Sequence, residues 1–178
     1  MADPELEQWN IDFGVSKSMR YHSYRRWFWD SVDNGAKILT IVSGTAVLVS
    51  IIGSDTRVAV WCAFVVAFFS AADVVLGFSN RARTHDGLYR AFSGLAQDVA
   101  ENDTPTERDV SKWRRRRLEI EMEEPGVIDW LERRCAAEEA AARGVDIKPE
   151  WRLNRLQIAL SQFAVWPSMP RGDQTSSH

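Results

Sequence analysis

Asp73 is the single charged residue in the apolar run 58–78, where burying a carboxylate in hydrocarbon costs roughly 3 kcal/mol unless it is paired, protonated or reached by water. The chemistry such a group offers is a conduction path, a pairing or a gate. A partner is available by position. With Asp55 as the midpoint of a hairpin, Lys37 lies eighteen residues before it and Asp73 eighteen after, so antiparallel helices bring the two to similar depth near one membrane edge. An interfacial ion pair or snorkelling carboxylate is one reading, and a side chain lining an oligomeric pore is the other.

Other residue types that carry chemistry are scattered. His22, His85 and His178 have no ligand spacing, and the chain contains no glycine-rich phosphate loop, nucleophile elbow, paired cysteines or HExxH motif. Neither an enzyme nor a metal or cofactor site is expected. Cys62 sits in an apolar stretch and Cys135 in a charged one, so both read as buried soft hydrophobes without a disulfide, consistent with a reducing compartment. The basic run 112–117 invites a phosphate-binding reading. It is followed by Glu119, Glu121, Glu123 and Glu124, however, which supply i,i+4 partners for Arg115 and Arg117. A solvated helix face or subunit contact is therefore expected there, and no nucleic acid.

The elements that must position these residues follow from a strongly uneven chain. Across 178 residues, 26% are charged and the net charge is −3, values that would suit a soluble domain, yet apolar residues concentrate between positions 38 and 78. Run 38–54 has no charge; its seventeen residues span about 26 Å as a helix, the short end of what crosses a bilayer. Gly53, Ser54, Asp55, Thr56 and Arg57 make a turn, and 58–78 returns. The first apolar run begins too late for a cleavable leader, so both spans are expected to be retained. Lys17, Arg20, Arg25, Arg26 and Lys37 precede the first span, Arg81, Arg83 and Arg90 follow the second, and only Arg57 lies between. Both termini are thus expected in the cytoplasm of a cell whose inner membrane holds the hairpin.

Two stripes of small residues, Ser43, Ala46, Ser50 and Gly53 in the first span and Ala59, Ala63, Ala67 and Ala71 in the second, predict close helix contact, within the hairpin or with other copies. Tyr21, Tyr24, Trp27, Phe28 and Trp29, interleaved with Arg25 and Arg26, suggest an amphipathic helix near the headgroups before the chain turns in, or equally a face packed on other helices. Beyond the spans, Leu88, Phe92, Leu95 and Val99 predict a helix over 80–102 that continues the second span, with bends allowed at Gly87 and Gly94. Thr104, Pro105 and Glu107 predict a capping box opening a helix through Val110, Trp113, Leu118 and Ile120 to a break at Pro125 and Gly126. Another helix is expected over 127–143, ending at Gly144. A last one opens at Pro149 with Trp151, Leu156, Leu160 and Phe163 on one face.

The expected fold is all-α: a juxtamembrane segment (1–36), a two-helix integral membrane hairpin (37–79), a cytoplasmic, coiled-coil-like helical region (80–166) and a disordered tail (167–178). This order resembles the SLATT family, the SMODS- and SLOG-associating two-transmembrane effector domains of bacterial conflict systems. The likeness rests on Tyr21, His22, Ser23, Tyr24, Arg25, Arg26, Trp27 and Phe28, a His followed by Arg and aromatics ahead of the first span, and on the short glycine-containing hairpin. It covers about residues 15 to 165. The resemblance implies a pore-forming or depolarising effector in antiviral defence, oligomeric in the lipid bilayer, and triggered through a separate sensor or nucleotide-signal-producing enzyme. A non-conducting membrane adaptor and a small channel or transporter subunit are the competing expectations.

Overall fold

The computed structural model describes residues 3–53 and 56–162; Ser54, Asp55, Phe163 and the tail 167–178 lie outside them. The chain is all-helical: α1 (Pro4–Ile52), α2 (Thr56–Leu76), α3 (Phe78–Ala100), α4 (Glu107–Glu121), α5 (Asp129–Ala142) and α6 (Arg155–Leu160), with a 3-10 turn at Pro149–Trp151. It divides into two compact units, a hairpin unit of residues 23–87 and a helical unit of residues 1–22 and 88–178.

In the hairpin unit α1 does not turn at the expected membrane entry. No proline stands between Pro4 and Pro105, and Lys37 bonds back to Asp33 one turn earlier, so the helix passes through Gly35 unbroken. Its buried or half-buried positions include Asp33, Ala36, Thr40, Ser43, Val47 and Ser50, alternating three and four residues apart. Such spacing keeps one stripe of a helix against a neighbour. The neighbour is α2, whose half-buried residues include Ala59, Cys62, Val65, Val66, Phe69 and Ala72.

Of the small-residue stripes, the first packs as expected at Ser43, Ala46 and Ser50, while Gly53 is exposed. The alanine ladder does not. Ala59 is half-buried but Ala63, Ala67 and Ala71 are exposed, because residues four apart advance about 40° around a helix of 3.6 residues per turn and drift off the contact.

The second span does not run on as one helix either. Gly77 adopts φ +59°, the left-handed conformation that only glycine takes without strain, and α3 starts afresh at Phe78. The Gly77 amide still donates to the Asp73 carbonyl at 2.7 Å, and the Leu76 carbonyl accepts Nε of Arg81 at 2.8 Å. Gly87 and Gly94, the expected bends, lie inside α3.

The helical unit is built on Ile11 and Val15 of α1, Leu88, Phe92, Leu95 and Val99 of α3, and Val110, Trp113 and Ile120 of α4, which form one buried cluster. Leu118, one of the apolar residues through which this helix was expected to run, is 55% exposed. α4 starts two residues later than expected. Its N-cap is Thr106, whose hydroxyl accepts the Asp109 amide at 3.3 Å while the Asp109 carboxylate accepts the Thr106 amide at 3.1 Å. This reciprocal pair leaves Thr104 and Pro105 outside the helix. α5 ends before Gly144, at φ +66°. The expected helix at Pro149 is only the 3-10 turn, and Asn154 with Gln157 forms a new capping box that opens α6.

Gly77→Ala should lower stability by about 1–2 kcal/mol, the cost of a left-handed alanine, since its Cβ would meet only Asn80 at an ordinary 3.8 Å. Gly77→Asn should cost less. Thermal unfolding in detergent followed by circular dichroism measures both.

Candidate functional site in the hairpin

The charged residues singled out in the sequence come together in a cleft of the hairpin unit of about 230 Å³, lined by Asp33, Lys37 and Thr40 of α1 and by Phe69, Ser70 and Asp73 of α2. That residues 33–41 face residues 69–73 makes the two helices antiparallel. The expected pair of Lys37 with Asp73 does not form. Lys37 Nζ donates instead to Asp33 Oδ2 at 2.6 Å. Asp33 sits one turn away on the same helix, so a short local bond replaces a reach across the seam. Asp33 is only 8% exposed, and Asp73, half-buried in the same cleft, has no side-chain partner among the described residues. With Asp33, Lys37 and Asp73 ionised, the cleft carries one net negative charge. Asp33 was missed in the sequence, although its position four residues before Lys37 was a readable signal. Thr40 and Ser70 had none, lying among apolar residues of the spans.

The juxtamembrane residues form a second arrangement in the hairpin unit. Trp29 has two guanidiniums near its ring, Arg25 at 5.2 Å and Arg81 at 5.1 Å, and stacks on Phe78 at 6.1 Å. Arg25 also covers Phe28, and Arg26 pairs with Asp86 at 2.6 Å. Arg81 thus has two functions, holding the Leu76 carbonyl freed at Gly77 and covering the indole. Cation–π contacts of this kind contribute about 0.5–2 kcal/mol each. The basic aromatic segment therefore packs on α3, and Trp27 alone of its tryptophans is strongly exposed.

In the helical unit, His22 is 1% exposed; its Nε2 lies 2.9 Å from Glu124 Oε1 and its ring stacks on Phe92. Tyr21 accepts the Ile128 amide on its hydroxyl at 3.1 Å. Both hold the segment after α4 against α1. Beyond it, α5 is tied to α1 by Lys17 with Glu132, Arg20 with Glu139, and Arg143 with Asp12. Burial raises the Glu139 carboxyl, but bonds from Arg20 and Arg143 outweigh it and hold the group below the usual carboxylate range. Burial likewise pushes the thiol of Cys135 up to about 12.

The basic run 112–117 is divided in its roles. Trp113 belongs to the core, Arg114 pairs with Glu7 at 2.8 Å and Arg117 with Glu121 at 2.7 Å. The expected pair of Arg115 with Glu119 is not formed. Arg117 also closes over Gly14, where a Cβ would stand 2.5 Å from the guanidinium. Among the described residues no group of three or more His, Cys, Asp or Glu side chains is placed to hold a metal ion.

No protein-family model, curated protein or solved structure matches this chain.

Glu139→Gln should destabilise the helical unit by about 2 kcal/mol at neutral pH, the loss of charge-assisted bonds to two arginines. Because the folded carboxyl titrates below its unfolded value of about 4.3, its contribution is present above that pH and fades as pH falls through the lower folded value. Thermal midpoints of the two proteins should therefore differ most above about pH 5 and converge on acidification.

Proposed function

We propose that this is a two-span membrane protein that self-associates through its hairpin and acts by perturbing the bilayer. The outer surface of the hairpin carries the reading. Val74 is 85%, Trp61 71% and Ile41 68% exposed, and α2 has no buried residue at all. A core helix of a soluble protein would bury such side chains, and an apolar surface this continuous is not stable in water. At 1.5 Å per residue, the 21 residues of α2 span about 32 Å, close to the thickness of a hydrocarbon core of about 30 Å. The excess of Lys and Arg on the flanks over Arg57 in the loop supports a topology with both ends of the hairpin on the cytoplasmic side of the inner membrane.

Self-association is supported by the exposed Ala63, Ala67 and Ala71, which leave a shallow surface where a second backbone approaches closely. Two helices enclose no path, so any leak requires several copies. The resemblance of residues 21–28 to the SLATT family supports an effector role in bacterial antiphage defence, with the trigger coming from a separate sensor or nucleotide-signal-producing enzyme. A second reading, a non-conducting adaptor, is favoured by Leu118 and the 79%-exposed Met122 of the helical unit, an apolar surface available to another protein.

Expression should depolarise cells in the activated state, and the chain should resist carbonate extraction. Ala63→Leu with Ala67→Leu should weaken self-association about tenfold, measured by energy transfer between labelled copies in liposomes, and reduce the leak in parallel. A chain that stays monomeric and leaves the membrane potential unchanged overturns the effector reading. Function lost on deleting 104–166, but kept with bulky hairpin residues, establishes the adaptor instead.

A further inference from the structure

Lys37 and Asp33 neutralise each other in the hairpin cleft, which leaves Asp73 as an acceptor with no side-chain partner among the described residues. Lys37 retains donor capacity, since an ammonium has three N–H groups and the bond to Asp33 uses one. The cleft is therefore lined by both an anion and a cationic donor, together with Thr40, Ser70 and the apolar Ile41 and Phe69. Ile41 is 68% and the Lys37 side chain 59% exposed, so this flank of the hairpin is uncovered. If the hairpin lies in a bilayer, as proposed above, the molecule facing that flank is a lipid, and Lys37 and Asp73 stand where the apolar spans end.

We infer that the cleft binds the headgroup of an aminophospholipid, its primary ammonium on Asp73 and its phosphate on Lys37. Charge and donor count select this headgroup over others. A choline headgroup has no N–H to donate to Asp73, and an anionic glycerol headgroup brings a second negative charge to a cleft that already carries one. Ethanolamine supplies three donors and adds no net charge. Ile41 and Phe69 then flank the start of the acyl chains.

The test uses the full chain reconstituted in nanodiscs of phosphatidylethanolamine, phosphatidylcholine or phosphatidylglycerol, released into detergent and weighed by native mass spectrometry. Phosphatidylethanolamine should be retained about tenfold over the other two, the size of one charge-assisted hydrogen bond. Asp73→Asn should bring that preference to within about twofold, and Lys37→Gln should weaken retention of phosphatidylethanolamine without favouring phosphatidylcholine. Equal retention of the three lipids by the unaltered protein overturns the inference, as does an Asp73→Asn protein that keeps the preference. Occupancy that follows sodium concentration but not headgroup overturns it in favour of a metal cation. A chain that enters no nanodisc removes the membrane reading itself, whereas one that enters without preference removes only this site.

Discussion

Between Pro4 and Pro105 every residue keeps its backbone amide donor, and that continuity is the constraint on which the rest of the structure depends. A segment with no proline and long apolar stretches satisfies its peptide groups most simply as helix. Interruptions then have to be made by other means. They include the end of α1 at Ile52, before α2 begins at Thr56, and Gly77, which takes a left-handed conformation. At Gly77 the carbonyl left over is met by Arg81, the side chain four residues on, so the break leaves the Leu76 oxygen partnered.

Charge in this protein is neutralised both along single helices and across gaps between them. Lys37 chooses Asp33 on its own helix over Asp73 on the next, and Arg117 chooses Glu121. A partner one helical turn away orders fewer side-chain torsions than one reached across a packed seam. Longer-range pairs range from the exposed Arg114 with Glu7 to the buried Glu139, which Arg20 holds from another helix and Arg143 from its own.

Much of the architecture was legible in the sequence. The two apolar helices, the core positions Leu88, Phe92, Leu95 and Val99, and the endpoint at Gly144 follow from hydropathy and period. The misses share a cause, which is competition among equally suitable local signals. Thr104 and Thr106 both offer a hydroxyl three residues before a carboxylate, and the helix that buries Val110 and Trp113 is capped by the second. Gly77, Gly87 and Gly94 are chemically identical, yet of the three only Gly77 breaks the helix, where Arg81 takes the freed carbonyl. The cleft was half legible: Lys37 and Asp73 were placed at one level by counting, but the partner that separates them, Asp33, lies outside the apolar run that drew attention to the pair.

Cysteine reactivity gives the structure a practical side. Cys135 is fully enclosed and holds its proton to about 12, so thiol reagents find no nucleophile there while the helical unit stays folded. Cys62, half-buried on α2, is the other free thiol of the chain. Any thiol adduct formed while the helical unit stays folded would therefore lie on Cys62, and the appearance of an adduct at Cys135 would time the opening of the helical unit.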